Sequence, residues 1–489
     1  VTRVEPDVTL PLGMRVSRSV IFAVGTAAIA ALAAYLPHHP GLSEPARHAL
    51  FVLLTAAGWW ITGAIPAFAV SLAVIALQIA LLGDPSRPFA NGDPERWQRF
   101  ISPWASPVMW LFLGGLVLAA AATRTGLDRR LAERVLRVAG TSPPRVLLAV
   151  MGVTFVLSMF MSNTATTAMM IALVVAMPVV VAAGEPTGSD SIGSEPTGAD
   201  AKPASRHYAT ALLLGIPVAA NIGGMGTVIG TPPNAIAVAA LAASGPIDFA
   251  RWMVYGLPPA LLLAFIAWRW LVWRYLRALP EALRQDAAAP DPTPFTGRSI
   301  FVAVLFLVTV LAWLTESLHG VPTAVVAVMP IAVLAVAGVV RERDVRALPW
   351  DVLMLIAGGL SLGVGVSETG LADWLVGRLP VAGLPAPLLA MLLAVVGTLL
   401  STFISNTASA TILTPLALAL AGNDARLVLI PLALAMSSAM SLPVSSPPNA
   451  IAFATQRISR RDLREAGLLL GVATPLLAVG WIWFVERWT

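Results

Sequence analysis

Ser162-Asn163-Thr164-Ala165 recurs in this chain as Ser405-Asn406-Thr407-Ala408, and Thr231-Pro232-Pro233-Asn234-Ala235-Ile236 recurs as Ser446-Pro447-Pro448-Asn449-Ala450-Ile451. All four blocks interrupt long apolar stretches. Proline removes a rung from the helical hydrogen-bond ladder, and an unpaired amide in hydrocarbon costs several kcal/mol. Residues of this kind persist inside a membrane when they bind something. A duplicated plan carrying duplicated helix breaks is the mark of a secondary transporter.

Composition sets the class around these motifs. The chain of 489 residues is 57% hydrophobic and 12% charged, with a mean hydropathy of +0.81. Many of its apolar runs reach the roughly 20 residues that cross a bilayer as helix. The formal charge of +5 would point a soluble domain toward nucleic acid. Here the arginines lie in short connections beside apolar runs, where orientation in the membrane accounts for them, so nucleic acid is discarded as a partner. With no cysteine in the sequence, disulfides, thiolate metal sites and cysteine nucleophiles are excluded. Residues 1–18 carry Arg3, Arg15 and Arg18 ahead of an apolar run without a convincing small-residue cleavage site, which reads as a retained first helix.

Along the chain, spans are expected near 19–36, 48–64, 66–82 and 104–123, followed by an arginine-rich amphipathic segment, 125–137. The apolar region 145–183 is broken in its middle by Ser158 and Ser162-Asn163-Thr164 and has no charged turn there, which favours a re-entrant hairpin over two full crossings. Residues 184–206 read as a polar linker, repeating Glu185-Pro186-Thr187-Gly188 as Glu195-Pro196-Thr197-Gly198. The second half follows the same plan: spans near 207–241 (broken at 221–234), 251–277, 299–317, 322–340 and 350–368, an amphipathic piece 370–379, a second hairpin 386–421, a second broken helix 426–455, and a last helix 463–486. Leu113-Gly114-Gly115 and Thr125-Gly126-Leu127 are echoed by Ala357-Gly358-Gly359 and Thr369-Gly370-Leu371 at an offset of 244, and the Ser-Asn-Thr blocks lie 243 apart.

The expected fold is therefore an all-α polytopic membrane protein of about eleven transmembrane helices in two inverted-topology repeats, each with a re-entrant hairpin and a broken helix. Its parts are an N-terminal segment with the first helix (1–47), a first repeat (48–277), an inter-repeat loop (278–298) and a second repeat (299–489). Placing Arg124, Arg129, Arg130, Arg134 and Arg137, then Arg274, Arg277 and Arg284, then Arg341, Arg343 and Arg346, and lastly Arg457, Arg460, Arg461 and Arg464 on one side puts the N-terminus in the cytoplasm and the C-terminus outside. Five helices separate the hairpins, so these enter from opposite faces and their tips meet near the midplane.

Each tip offers hydroxyls, an asparagine amide and freed backbone groups. Carbonyl and hydroxyl oxygens suit sodium, whereas N–H groups at half-helix N-termini suit an anion. Neither motif holds a lysine, arginine or histidine. A buried dianion would then draw its neutralising charge from co-bound cations. A single Ser-Asn-Thr in an apolar run is ordinarily packing glue; two copies at one offset, each followed by Pro-Pro-Asn, are not. An intramembrane enzyme is disfavoured, because His38, His39, His48, His207 and His319 lie at or near helix ends and no carboxylate pair sits mid-span.

With Gly223-Gly224-Met225-Gly226-Thr227 and Leu442-Pro443-Val444 preceding the two Pro-Pro-Asn blocks, the chain resembles the divalent anion/sodium symporters from about residue 48 to its end. The resemblance implies an elevator carrier of the bacterial-type inner membrane that works as a homodimer. It assigns Ser158, Ser162, Asn163 and Gly224 to one sodium site and Ser401, Asn406 and Ser441 to a second. Substrate contacts would come from Ser162, Asn163, Thr164, Thr227, Ser405, Asn406, Thr407 and Pro443. Sodium is the expected co-transported ion and a C4-dicarboxylate such as succinate, malate or fumarate the expected cargo. Sulfate or citrate transport, dicarboxylate exchange and, more remotely, an anion channel are the alternatives.

Overall fold

A computed structural model describes residues 8–9, 15–16, 18–83, 95–177, 201–277, 293–378 and 383–488. Most of the linker expected at 184–206 and of the inter-repeat loop at 278–298 lies outside the described residues, as do Arg3 and Arg284. Apart from one two-residue antiparallel ladder, Val8–Thr9 with Arg15–Val16, the described chain is helical. Its helices of six residues or more are α1 (Arg18–Tyr35), α2 (Glu44–Thr62), α3 (Ala67–Leu82), α4 (Pro107–Thr125), α5 (Leu127–Val138), α6 (Pro143–Ser158), α7 (Asn163–Val175), α8 (Ala201–Gly224), α9 (Pro232–Ala240), α10 (Phe249–Leu271), α11 (Gly297–Leu314), α12 (Thr323–Val336), α13 (Trp350–Glu368), α14 (Leu371–Val376), α15 (Ala386–Phe403), α16 (Asn406–Ala421), α17 (Ala425–Ser437), α18 (Pro447–Ala454) and α19 (Arg460–Trp488).

Seven helical stretches among the described residues are individually long and apolar enough to cross a membrane. Others expected as spans are shorter or divided: α3 has 16 residues, α12 has 14, and α8–α9 and α17–α18 are broken pairs. Each Ser-Asn-Thr motif separates a pair of packed helices, α6 from α7 and α15 from α16. The arms of the first, α6 and α7, have 16 and 13 residues, about 24 and 20 Å at the helical rise and short of the roughly 30 Å of hydrocarbon.

Local chemistry explains the breaks. Ser162 and Ser405 are N-caps, each accepting a hydrogen bond from the backbone N–H three residues on, Ala165 and Ala408, at 3.2 Å. Thr231 and Ser446 hold extended backbone (φ −151° and −148°) ahead of paired prolines at the first two helical positions, where no N–H is needed. The Thr-Gly-Leu echo is a turn: Gly126 and Gly370 adopt left-handed φ of 64° and 78°, ending α4 and α13 and starting the helices that follow them.

The packing is reciprocal. α6 lies along α8 and α15 along α17, each within its own repeat. The return arm of each hairpin crosses to the other repeat, α7 against α18 and α16 against α9. The frame crosses in the same way, α12 on α4 and α3 on α13. The Gly-Gly echoes make that crossing close. A Cβ at Gly114 would sit 2.7 Å from the Ala327 carbonyl oxygen of α12, and one at Gly358 would collide with Ser71 of α3. Their neighbours face the other way, Gly115 onto Ile229 and Gly359 onto Thr411, with a built Cβ 2.7 Å from each side chain.

Candidate functional site at the hairpin tips and helix breaks

At the first tip, the Ser158 hydroxyl is fully buried. Its one proton has two acceptors in reach, Asn163 Oδ1 at 2.5 Å and the Ala220 carbonyl of α8 at 2.8 Å. Gly224 closes the group, since a Cβ there would lie 2.9 Å from Asn163 Oδ1 and 3.1 Å from its Nδ2. Three residues assigned to the first sodium site, Ser158, Asn163 and Gly224, therefore converge. Ser162 stands beside them with its oxygen engaged as a cap, and Thr164 is exposed.

The second tip differs. Ser401, the counterpart of Ser158, is fully buried, yet neither its Oγ nor the buried Oδ1 of Asn406 has a hydrogen-bond partner among the described residues. Two oxygens withdrawn from water without a donor are costly as they stand and are well suited to a small hard cation. Ser441 is half-buried at the second break, backed so closely by Gly467 of α19 that any Cβ there would strike it. The second hairpin is fixed to that break by Ser445, whose hydroxyl donates to the Thr402 carbonyl at 2.8 Å. The first repeat makes the corresponding link with Thr227, which donates to the Met159 carbonyl. Thr227 is thus fully buried with its proton committed, leaving only lone pairs for a ligand. Ser405 is exposed, and Thr407 and Pro443 are half-buried.

The two Pro-Pro-Asn asparagines do one job. Asn234 Nδ2 donates to the Gly224 and Thr227 carbonyls at 2.9 and 2.7 Å, and Asn449 Nδ2 donates to those of Met440 and Leu442 at 3.0 and 3.1 Å. Each amide reaches back from its half-helix to carbonyls that the break has freed. Both side chains are fully buried.

Sequence reasoning missed three polar residues here. Asn221, 1% exposed, donates from Nδ2 to Ser446 Oγ at 3.2 Å and to Asn449 Oδ1 at 3.4 Å, joining one broken helix to the other. Thr166 and Ser409 are fully buried with unpartnered hydroxyls at equivalent places, three residues beyond Asn163 and Asn406. Their signal was helical spacing, which sets i and i+3 on one face. A cavity of about 930 Å³ lies elsewhere, among Leu111, Ile236, Thr323, Leu360 and Pro415, and takes in none of the tip residues.

The family described as the sodium:sulfate symporter transmembrane region matches residues 18–488. A sodium-dependent dicarboxylate transporter SdcS from Staphylococcus saprophyticus is 33% identical over 476 residues, covering 91% of this chain and 87% of the relative. Its namesake from Staphylococcus aureus is 30% identical over 482 residues, covering 92% and 87%. Among solved structures, the Alcanivorax borkumensis YdaH transporter covers 91% of this chain and 99% of that one, with a TM-score of 0.48 at 13% identity. The chain belongs to the sodium:sulfate symporter family and is a multi-pass membrane transporter, not an enzyme.

Proposed function

We propose that this member of the sodium:sulfate symporter family is a sodium-coupled symporter that imports C4-dicarboxylates such as succinate, malate or fumarate. The observation that carries the reading is the pairing of two oxygen-lined tips with an absence of any cationic side chain in the tip motifs. Ser158 and Asn163 beside Gly224 form one cation site, and the unpartnered oxygens of Ser401 and Asn406 with Ser441 form the other. Two sodium ions offset the charge of a dianion held between Ser162-Asn163-Thr164 and Ser405-Asn406-Thr407. The names of the two Staphylococcus relatives support the dicarboxylate over sulfate or citrate.

The reciprocal packing supports two inverted repeats, 48–277 and 299–489, with the hairpins open to opposite faces, the N-terminus in the cytoplasm and the C-terminus outside. In this reading the hairpins and broken helices move as one body against the α3–α13 and α4–α12 frame in an elevator cycle, within a homodimer. Cysteines placed singly at Ser189 and Gly422 of this cysteine-free chain should label from inside and outside respectively. Labelling from one side would overturn the inversion.

Transport is tested in proteoliposomes holding no internal dicarboxylate, with a sodium gradient as the only driving force and labelled succinate and sulfate offered separately. Succinate uptake that stops when choline replaces sodium is expected. Uptake that ignores choline and requires internal dicarboxylate makes the protein an exchanger.

A further inference from the structure

Hydrogen bonds and the peptide backbone between them lead from Ser158 of the first proposed cation site to the carbonyls flanking Ser441 of the second, and one asparagine bridges the path. At the first site, Ser158 has one hydroxyl proton and two acceptors, Asn163 Oδ1 at 2.5 Å and the Ala220 carbonyl at 2.8 Å. That carbonyl belongs to the peptide leading into Asn221. The Asn221 amide donates to Asn449 Oδ1 and Ser446 Oγ, and the Asn449 amide then holds the carbonyls of Met440 and Leu442, the two residues that flank Ser441 of the second site. At 1% exposure Asn221 has no water to substitute for these partners.

The connection runs one way only. Counting from the Pro-Pro-Asn blocks, the position equivalent to Asn221 in the second repeat is Met436, which has no amide to offer. Asn234, the counterpart of Asn449, correspondingly has an Oδ1 without a partner among the described residues. The repeat therefore retains its hydrogen-bonded breaks while providing one cross-tie instead of two. A device needed only to fill space would be served by methionine in both places.

We propose that Asn221 is a positioning residue that couples the two cation sites, so that filling the first pre-forms the second. A cation at the first site takes the lone pairs of Asn163 Oδ1, and the Ser158 proton then goes wholly to the Ala220 carbonyl. This fixes the α8 segment that bears Asn221, and Asn221 orients Asn449, whose amide holds the backbone on either side of Ser441. The two sites are linked through one amide, so binding at either lowers the ordering cost at the other. The inference rests on the sodium symport reading above.

The test is the sodium dependence of succinate uptake in proteoliposomes, fitted for half-saturation, cooperativity and maximal rate, in the wild type and Asn221→Met. Methionine is chosen because it occupies the equivalent position of the second repeat. In the wild type a Hill coefficient above one is expected. In the variant the coefficient should fall to about one and half-saturating sodium should rise about 5-fold or more, with the maximal rate at saturating sodium held within about two-fold. A merely structural role would lower the maximal rate and leave the cooperativity unchanged, which would overturn the proposal. Asn221→Ser, shorter than the native side chain, carries the same reading if the methionine variant does not reach the membrane. Loss of sodium dependence in the wild type would refute symport itself, whereas a cooperative wild type matched by both variants refutes only the role of Asn221.

Discussion

The two hairpin tips share a motif and a helix cap but not an electrostatic state. At the first, the single Ser158 proton lies between two acceptors, Asn163 Oδ1 and the Ala220 carbonyl of α8. At the second, Ser401 and Asn406 leave their oxygens without donors. An oxygen that already accepts a hydrogen bond has one lone pair fewer to offer a cation, whereas an oxygen without a donor offers both. Of the two proposed cation sites, the first is thus the better ordered when empty, and the second has more to gain on filling. A duplicated sequence need not give duplicated energetics, because what surrounds each copy decides the difference.

The largest effects should come from the residues the tips share. Asn163→Ala and Asn406→Ala are each expected to reduce sodium-dependent uptake to background in a protein that still purifies as a folded species. Normal transport by both would make the tips packing features and end the comparison. Next come the amides that hold the breaks. Asn234→Ala and Asn449→Ala should each destabilise by about 1–3 kcal/mol through carbonyls left unpaired in an apolar interior. Asn449→Ala should be the costlier, because it also removes one of the two acceptors of Asn221, and thermal unfolding in detergent ranks the two.

The serines give a smaller and more discriminating contrast. Ser158→Ala should lower the stability of the sodium-free protein by about 1 kcal/mol. Ser401→Ala should leave the sodium-free protein unchanged or slightly stabilised, yet abolish most of the melting-temperature rise that sodium produces by binding the folded state. Equal losses for the two serines without sodium would erase the proposed difference between the sites.

The smallest effect concerns the frame, where the repeats carry equivalent ion pairs of reversed sign. Arg124 at the end of α4 pairs with Asp344 at 2.8 Å, whereas Glu368 at the end of α13 pairs with Arg99 at 3.4 Å. The first pair is the more enclosed, with side chains 20% and 17% exposed against 34% for Glu368 and 53% for Arg99. Burial raises the Asp344 carboxyl, but the Arg341 backbone N–H and the Arg124 guanidinium outweigh it and hold the group below the usual carboxylate range. A carboxyl held low contributes stability that is complete above that range and is lost as pH falls through its own lowered pKa. Asp344→Asn should cost about 1 kcal/mol or less at neutral pH. The wild type should lose that margin on acidification below about pH 4 and converge with the variant. A margin that persists in acid would exclude the ion pair as its source.

Much of this was legible because local chemistry is written locally. Ser162 and Ser405 announce N-caps, paired prolines announce helix starts, and Thr-Gly-Leu announces the left-handed turns at Gly126 and Gly370. The crosswise contacts had no such signal. Nothing near Ser71 in the sequence indicates Gly358, and nothing near α7 indicates α18, because such contacts are chosen by how two repeats interlock. Asn221 was passed over for the same reason, since a lone asparagine in an apolar helix reads as ordinary packing until Asn449 is seen opposite it. The reversed charge pairs escaped notice because their sign hides the equivalence that their spacing preserves.

Each Gly-Gly pair has one residue against the frame of the opposite repeat and the next against the hairpins and breaks, Gly114 on Ala327 with Gly115 on Ile229, and Gly358 on Ser71 with Gly359 on Thr411. At these two levels the neighbours on the two faces are separated by the thickness of a single backbone. The glycines themselves contribute no side chain there. These four glycines therefore act as a gauge, setting how closely α4 and α13 lie to the neighbours on either side of them.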